Sequence, residues 1–268
     1  MGARPSSFKQ EEKPKDTRIW SEQQQAIFDW FEHGGSDRSM NLVVRARAGT
    51  GKTTTIIEGV NRAPEESILL CAFNKRIAEE MNSRITNNRA AAKTLHSVGY
   101  QAIRREWRGM SVSDGTKRAD ALTRAVVPAN THPSMCRLVT LLHTKGREMV
   151  PVTATRAALM ELALFFDYVP DESWVQYPLE WVVERAYEAI AYAAEHPPTY
   201  DIGIDFADMI FLPLAHNLLS PEYELVVVDE CQDMNAAQIL IAQRVCSGRI
   251  CVVGDDRQAI YAWRGADS

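Results

Sequence analysis

The chain has 268 residues, 46% of them hydrophobic and 24% charged, with a formal charge of −5, a soluble globular balance with room for a sizeable core. Its longest apolar runs, such as Ala157 to Phe166, are too short and interrupted to span a bilayer, and no charged-then-apolar leader opens it. The charge neither demands nor forbids a nucleic-acid partner, because a single strand can be held by a local groove in an acidic protein. The five cysteines show no CxxC pairing, which argues against zinc and disulfides and for a reducing, cytoplasmic setting.

In chain order, residues 1–18 are polar and carry two prolines, so they are expected to form a flexible tail. A helix is expected from Ser21 as its cap, with Ala26, Ile27, Trp30 and Phe31 on one face. A short apolar strand, Asn41 to Ala46, runs into a glycine-containing turn and then a helix over Thr53 to Val60. A second strand over Ser67 to Phe73 precedes an amphipathic helix from Lys75 to about Ile85. A third strand, near Ala91 to Thr94, leads into a helix beginning near His96.

Between about Glu106 and Pro198 the texture is helical, with amphipathic stretches at Asp120 to Val127, Met135 to His143, Thr155 to Phe166 and Leu179 to Glu195. Strands return at Leu225 to Val228 and Arg249 to Val253, joined by a helix over Ala236 to Val245. Continuous apolar strands alternating with helices predict a parallel α/β sheet. The expected organisation is therefore a discontinuous sheet domain, residues 19–105 and 200–268, carrying a helical subdomain inserted at 106–199.

Three segments carry chemistry. Ala46-Arg47-Ala48-Gly49-Thr50-Gly51-Lys52-Thr53 lies between a strand and a helix. Small residues let backbone N–H groups wrap phosphates, the helix aims its positive end at them, Lys52 adds a mobile charge, and the Thr53 hydroxyl is placed for Mg²⁺. With Thr54, the loop from Ala48 onward is the expected ATP cradle; Ala46 stands where the usual pattern has Gly. Val226-Val227-Val228-Asp229-Glu230 ends a buried strand in two acids: Asp229 suits Mg²⁺, and Glu230 suits orienting or deprotonating an attacking water. Val252 to Asp256 ends another strand and leads to Gln258, within reach of a γ-phosphate, and to Tyr261, Trp263 and Arg264, whose flat faces suit stacked bases. The bland alternative for this last segment is a surface loop with one core tryptophan.

Taken in this order, the three segments resemble motifs I, II and III of superfamily 1 helicases of the UvrD/Rep kind, including phage-type members. Gln24, with Gln23 as the other choice, resembles the adenine-reading Gln motif. Ala72-Phe73-Asn74-Lys75 resembles motif Ia, with the aromatic directly before Asn74 rather than one residue earlier as in some members. Thr94-Leu95-His96-Ser97 resembles motif Ib. Asp205-Phe206-Ala207-Asp208-Met209-Ile210 resembles the DFDDLI segment, with Ala207 replacing one Asp. Asp229-Glu230-Cys231-Gln232-Asp233 matches DExQD.

The resemblance implies a RecA-like P-loop NTPase fold, with ATP and Mg²⁺ as cofactors and single-stranded DNA as partner. It implies Glu230 as catalytic base, Gln258 as γ-phosphate sensor, and Phe73, Asn74, His96, Tyr261, Trp263 and Arg264 as DNA contacts. The bland alternative for His96 is a core histidine near a strand end. Motifs IV to VI do not follow motif III here, so the chain is expected to resemble the first half of a helicase, to need a second RecA-like domain in cis or in trans, and to hydrolyse ATP slowly alone. The rival readings are a non-catalytic, nucleotide-dependent single-strand-binding module or split-helicase subunit, and a P-loop ATPase of another kind.

Overall fold

A computed structural model describes residues 19–33, 41–47, 49–113 and 115–255. The expected tail at 1–18, and Ala48, Gln258, Tyr261, Trp263 and Arg264, lie outside the described residues. The elements run α1 (Glu22–His33), β1 (Leu42–Arg45), α2 (Lys52–Arg62), β2 (Ile68–Ala72), α3 (Lys75–Arg84), β3 (Ala90–Thr94) and α4 (Leu95–Glu106). Then come α5 (Lys117–Val126), α6 (Pro133–Met149), α7 (Arg156–Phe165), α8 (Leu179–Glu195), α9 (Asp208–Ala215), β4 (Tyr223–Val228), α10 (Ala236–Arg244) and β5 (Cys246–Gly254). No helix among the described residues is long and apolar enough to cross a membrane.

The five strands form one parallel sheet in the order β1-β5-β4-β2-β3. All of β2 is buried, and so is the last part of β4, Leu225 to Val228. Central parallel strands read as unbroken apolar runs because both of their faces are covered. Ile68, Leu70 and Ala72, with Leu225 and Val227, face the layer built from α1, α2 and α3. Leu69 and Cys71, with Val226 and Val228, face the layer of α4, α9 and α10. This is the mixed α/β architecture of a RecA-like domain. The buried Arg249 of β5 reaches under the first layer, donating to the carbonyls of Trp30 and Phe31 at the end of α1 and pairing with Glu65 at 2.7 Å. A guanidinium there answers the unpaired carbonyls of a helix C-terminus.

Helices α5 to α8 pack around a core of their own, including Leu122, Val139, Leu142, Leu159, Val182 and Ala186. That core is continuous with Ile103 of α4 and with Met209, Phe211 and Leu212 of α9. Helix α9 has no counterpart in the sequence reading, because Asp208 to Ala215 is apolar nearly all round and shows no helical stripe. At its start, four charges with little access to solvent meet. Arg147 donates to both oxygens of Asp205, at 2.9 and 2.6 Å, and to Asp208 at 2.7 Å, while Arg118 donates to Asp208 at 3.1 Å. The segment resembling DFDDLI is thus the electrostatic tie between α5, α6 and α9.

Candidate functional site

The C-terminal ends of β1, β4 and β5 lie at the same edge of the parallel sheet, where ligands sit in open α/β folds. Gly49 and Gly51 adopt φ of 77° and 81°. A Cβ at either position would meet nothing within 4 Å, so these glycines serve the left-handed backbone and not a crowded packing site. Helix α2 then starts at Lys52, its N-terminus turned toward the loop and its first turn free of acids, as an anion site requires.

Across the gap stand the two acids that follow β4, Asp229 and Glu230. Thr53 Oγ1 donates to Asp229 Oδ2 at 3.0 Å, a contact between residues 176 positions apart. Lys52 Nζ donates to Glu230 Oε2 at 2.7 Å, across 178 positions. Burial pushes the Asp229 carboxyl above its ordinary range, and the neighbouring Glu230 charge adds to that. A buried carboxylate held up in this way, beside a threonine hydroxyl and a second acid, is a hard-oxygen donor set that fits a divalent cation such as Mg²⁺.

Gln24 lies at the start of α1, and with Gln23 it lines a cavity of about 730 Å³ that also reaches Arg47, Thr50 and Lys52. Its amide is already engaged, donating to Thr55 Oγ1 at 2.8 Å and accepting from the Ser21 N–H at 3.0 Å. The Thr54 hydroxyl accepts from Arg84 at 2.7 Å, so it braces α2 against α3. The structure therefore brings Lys52, Thr53, Asp229 and Glu230 together and gives Thr54 a different neighbour.

The turns after β2 and β3 line a second cavity of about 690 Å³ farther along the same edge. Phe73 is half exposed there. Asn74 caps α3, its side-chain oxygen accepting from the Ile77 N–H at 2.9 Å. His96 is buried, and its ring stacks on Phe206 at 3.9 Å between centroids. Burial, only partly opposed by Glu148, lowers the His96 pKa to about 4, so the ring is neutral near pH 7. Phe206 itself is 60% exposed and lines the same cavity. From sequence, Phe206 stands out only as part of the segment resembling DFDDLI. An exposed aromatic between Asp205 and Asp208, which are pinned below the surface, is the signal that singles it out.

A protein-family model described as "UvrD/REP helicase N-terminal domain" matches residues 35–268. F-box DNA helicase protein 1 of Schizosaccharomyces pombe is 26% identical over 247 residues, covering 85% of this chain and 27% of that protein. DNA helicase II of Escherichia coli is 23% identical over 253 residues, covering 84% and 33%. ATP-dependent DNA helicase PcrA of Bacillus subtilis is 22% identical over 254 residues, covering 84% and 32%. The chain thus spans about a third of the length of these relatives. With the family model spanning most of the sequence, over a parallel sheet that gathers a glycine turn and two acids at one edge, the chain belongs to the UvrD/REP helicase N-terminal domain family.

Proposed function

We propose that this chain is the ATP-binding half of a DNA helicase motor, in which ATP hydrolysis drives movement along single-stranded DNA and duplex unwinding. The observation that carries the proposal is the pair of contacts Lys52–Glu230 and Thr53–Asp229, which join the start of α2, just after the glycine turn, to the acids that follow β4. Residues 19–105 and 200–268 would form the nucleotide-binding unit and 106–199 its helical insert; the packing of α5 to α8 around one cluster, which joins the sheet unit through α4 and α9, supports that division. Because the relatives are about three times as long, translocation and unwinding are proposed for a protein that contains this segment together with a second RecA-like domain. Without that domain, turnover is expected to be slow.

On this reading, ATP phosphates lie in the loop at Ala48 to Thr54, and Lys52 turns from Glu230 to the phosphates. The freed Glu230 carboxylate takes a proton from the attacking water. Thr53 and Asp229 would hold Mg²⁺, which neutralises charge on the phosphates. Gln24, or Gln23 in its place, would meet the adenine; both line the cavity beside the loop. Gln258 would sense the γ-phosphate, while Tyr261, Trp263 and Arg264 would meet the strand; these four roles rest on the motif resemblance.

Single-stranded DNA would cross the second cavity, over Phe73, Asn74, His96 and Phe206. Base–aromatic stacking is worth roughly 1–3 kcal/mol per base, so Phe206→Ala should weaken single-strand binding about 5- to 150-fold. Anisotropy at fixed salt measures this, together with binding of a fluorescent ATP analogue in Mg²⁺. Saturable binding of both ligands, with the strand weakened in the variant, is the expected result. Failure to bind nucleotide at millimolar concentration would overturn the ATPase reading. An unchanged strand affinity in the variant would remove the groove.

A further inference from the structure

We propose that Gln232 is a positioning residue for hydrolysis, its side-chain amide tying the Glu230 carboxylate to the end of β5 and keeping it aimed when Lys52 turns away. The inference deepens the reading of Glu230 as the base and rests on it. Gln232 Nε2 donates to Glu230 Oε2 at 2.7 Å, while Gln232 Oε1 accepts from the Asp255 N–H at 3.1 Å. One amide thus spans from the acid after β4 to the backbone after β5. The flipped amide would set a carbonyl against a carboxylate and an NH₂ against an N–H, so the two partners fix its orientation.

Two backbone features serve this contact. Glu230 sits at φ 50°, ψ 47°, the left-handed region that few non-glycine residues adopt. From there a single turn over Cys231–Asp233 brings Gln232 back beside it, closed by Asp233 N–H donating to Glu230 O at 2.9 Å. Gly254 faces that turn: a Cβ there would lie 2.8 Å from Gln232 Oε1 and 2.5 Å from Cys231 Sγ. The missing side chain at 254 is what lets the amide reach the next N–H.

Lys52 and Gln232 donate to the same oxygen of Glu230. Once phosphates draw Lys52 off, Gln232 is the remaining side-chain donor to that carboxylate among the described residues. A neutral amide takes no proton from water at pH 7, so Gln232 is not itself the base, and its contact is with Glu230.

The test uses the 268-residue chain and follows conversion of bound, γ-labelled ATP in a single turnover, beside ATP affinity and melting temperature. Gln232→Met keeps the side-chain length but removes both hydrogen bonds. It should slow conversion about tenfold or more while affinity stays within about twofold, since a hydrogen bond to a charged group is being lost away from the phosphates. Gly254→Ala, which displaces the amide and leaves Gln232 in place, should slow it in the same sense. If Gly254→Ala fails to fold, Gln232→Met decides alone. Conversion at the parent rate in Gln232→Met overturns the proposal when Glu230→Gln is slowed. Loss of affinity and melting temperature in step with rate also overturns it, in favour of a merely structural role. A Glu230→Gln variant as fast as the parent refutes the base assignment itself, a separate failure.

Discussion

In Lys52→Ala, millimolar ATP should no longer raise the melting temperature, although the protein without nucleotide melts close to the parent. Lys52 is the cation at the start of α2, and its ammonium is already aimed across the loop at Glu230. Hydrogen bonds from a charged donor are worth about 1.5–3 kcal/mol, which predicts an affinity loss of about 10- to 150-fold. A ligand that binds only the folded state stabilises it by RT ln(1 + [L]/Kd), so the nucleotide-induced shift collapses with the affinity. The fold loses little, because Glu230 keeps Gln232 as partner and its side chain is a third exposed to water. Thermal melts with and without ATP check both halves. An undiminished ATP shift in the variant would show that the loop does not hold phosphates through Lys52.

The second large effect is on stability and lies away from the nucleotide. Arg147→Ala should cost about 3–5 kcal/mol, because it strips a buried guanidinium from Asp205 and Asp208 and leaves their charges underpaired. At about 2–4 °C per kcal/mol in a domain of this size, the melting temperature should fall by roughly 6–20 °C. Burial works against the Asp205 charge, but Arg147 outweighs it and holds that carboxyl below the ordinary range. Asp205 therefore adds stability above the unfolded-state carboxylate pKa, and that stability fades as pH falls through the folded value. The variant should lose part of this acid limb, and melting curves from neutral pH downward would show it. A drop of less than about 1 kcal/mol would mean that water already reaches the cluster. Phe206 stands between the two acids, so the same variant should also blunt single-strand binding.

Much of this molecule was readable from residues alone, and the reasons are local. The runs Ile68 to Ala72 and Leu225 to Val228 are apolar without alternation, as a doubly covered parallel strand requires, and both are strands in the fold. The amphipathic spacing of Leu179 to Glu195 marked α8 with its boundaries. The phosphate loop carried its own signature, because left-handed turns at Gly49 and Gly51 leave few residue choices.

What escaped was tertiary. Helix α9 is wrapped by protein on nearly all sides, so its sequence lacks the stripe that marks a surface helix. The clustering of Arg118, Arg147, Asp205 and Asp208 joins three distant stretches of chain, and nothing in their spacing announces it. The stacking of Phe206 on His96 likewise depends on two turns that meet only in the fold. Gln232 was visible as part of a motif, but its task depends on where β5 ends.

On the proposed mechanism, the acid after β4 drives hydrolysis of ATP held by the loop after β1. Single-turnover conversion of γ-labelled ATP by the parent chain and by Glu230→Gln, at saturating ATP and Mg²⁺, tests it most directly. A positioned general base contributes about 10²- to 10⁴-fold, so the variant should bind ATP as the parent does and convert it slower by that factor. Equal rates in the two proteins, at equal occupancy, would contradict Glu230 as the base.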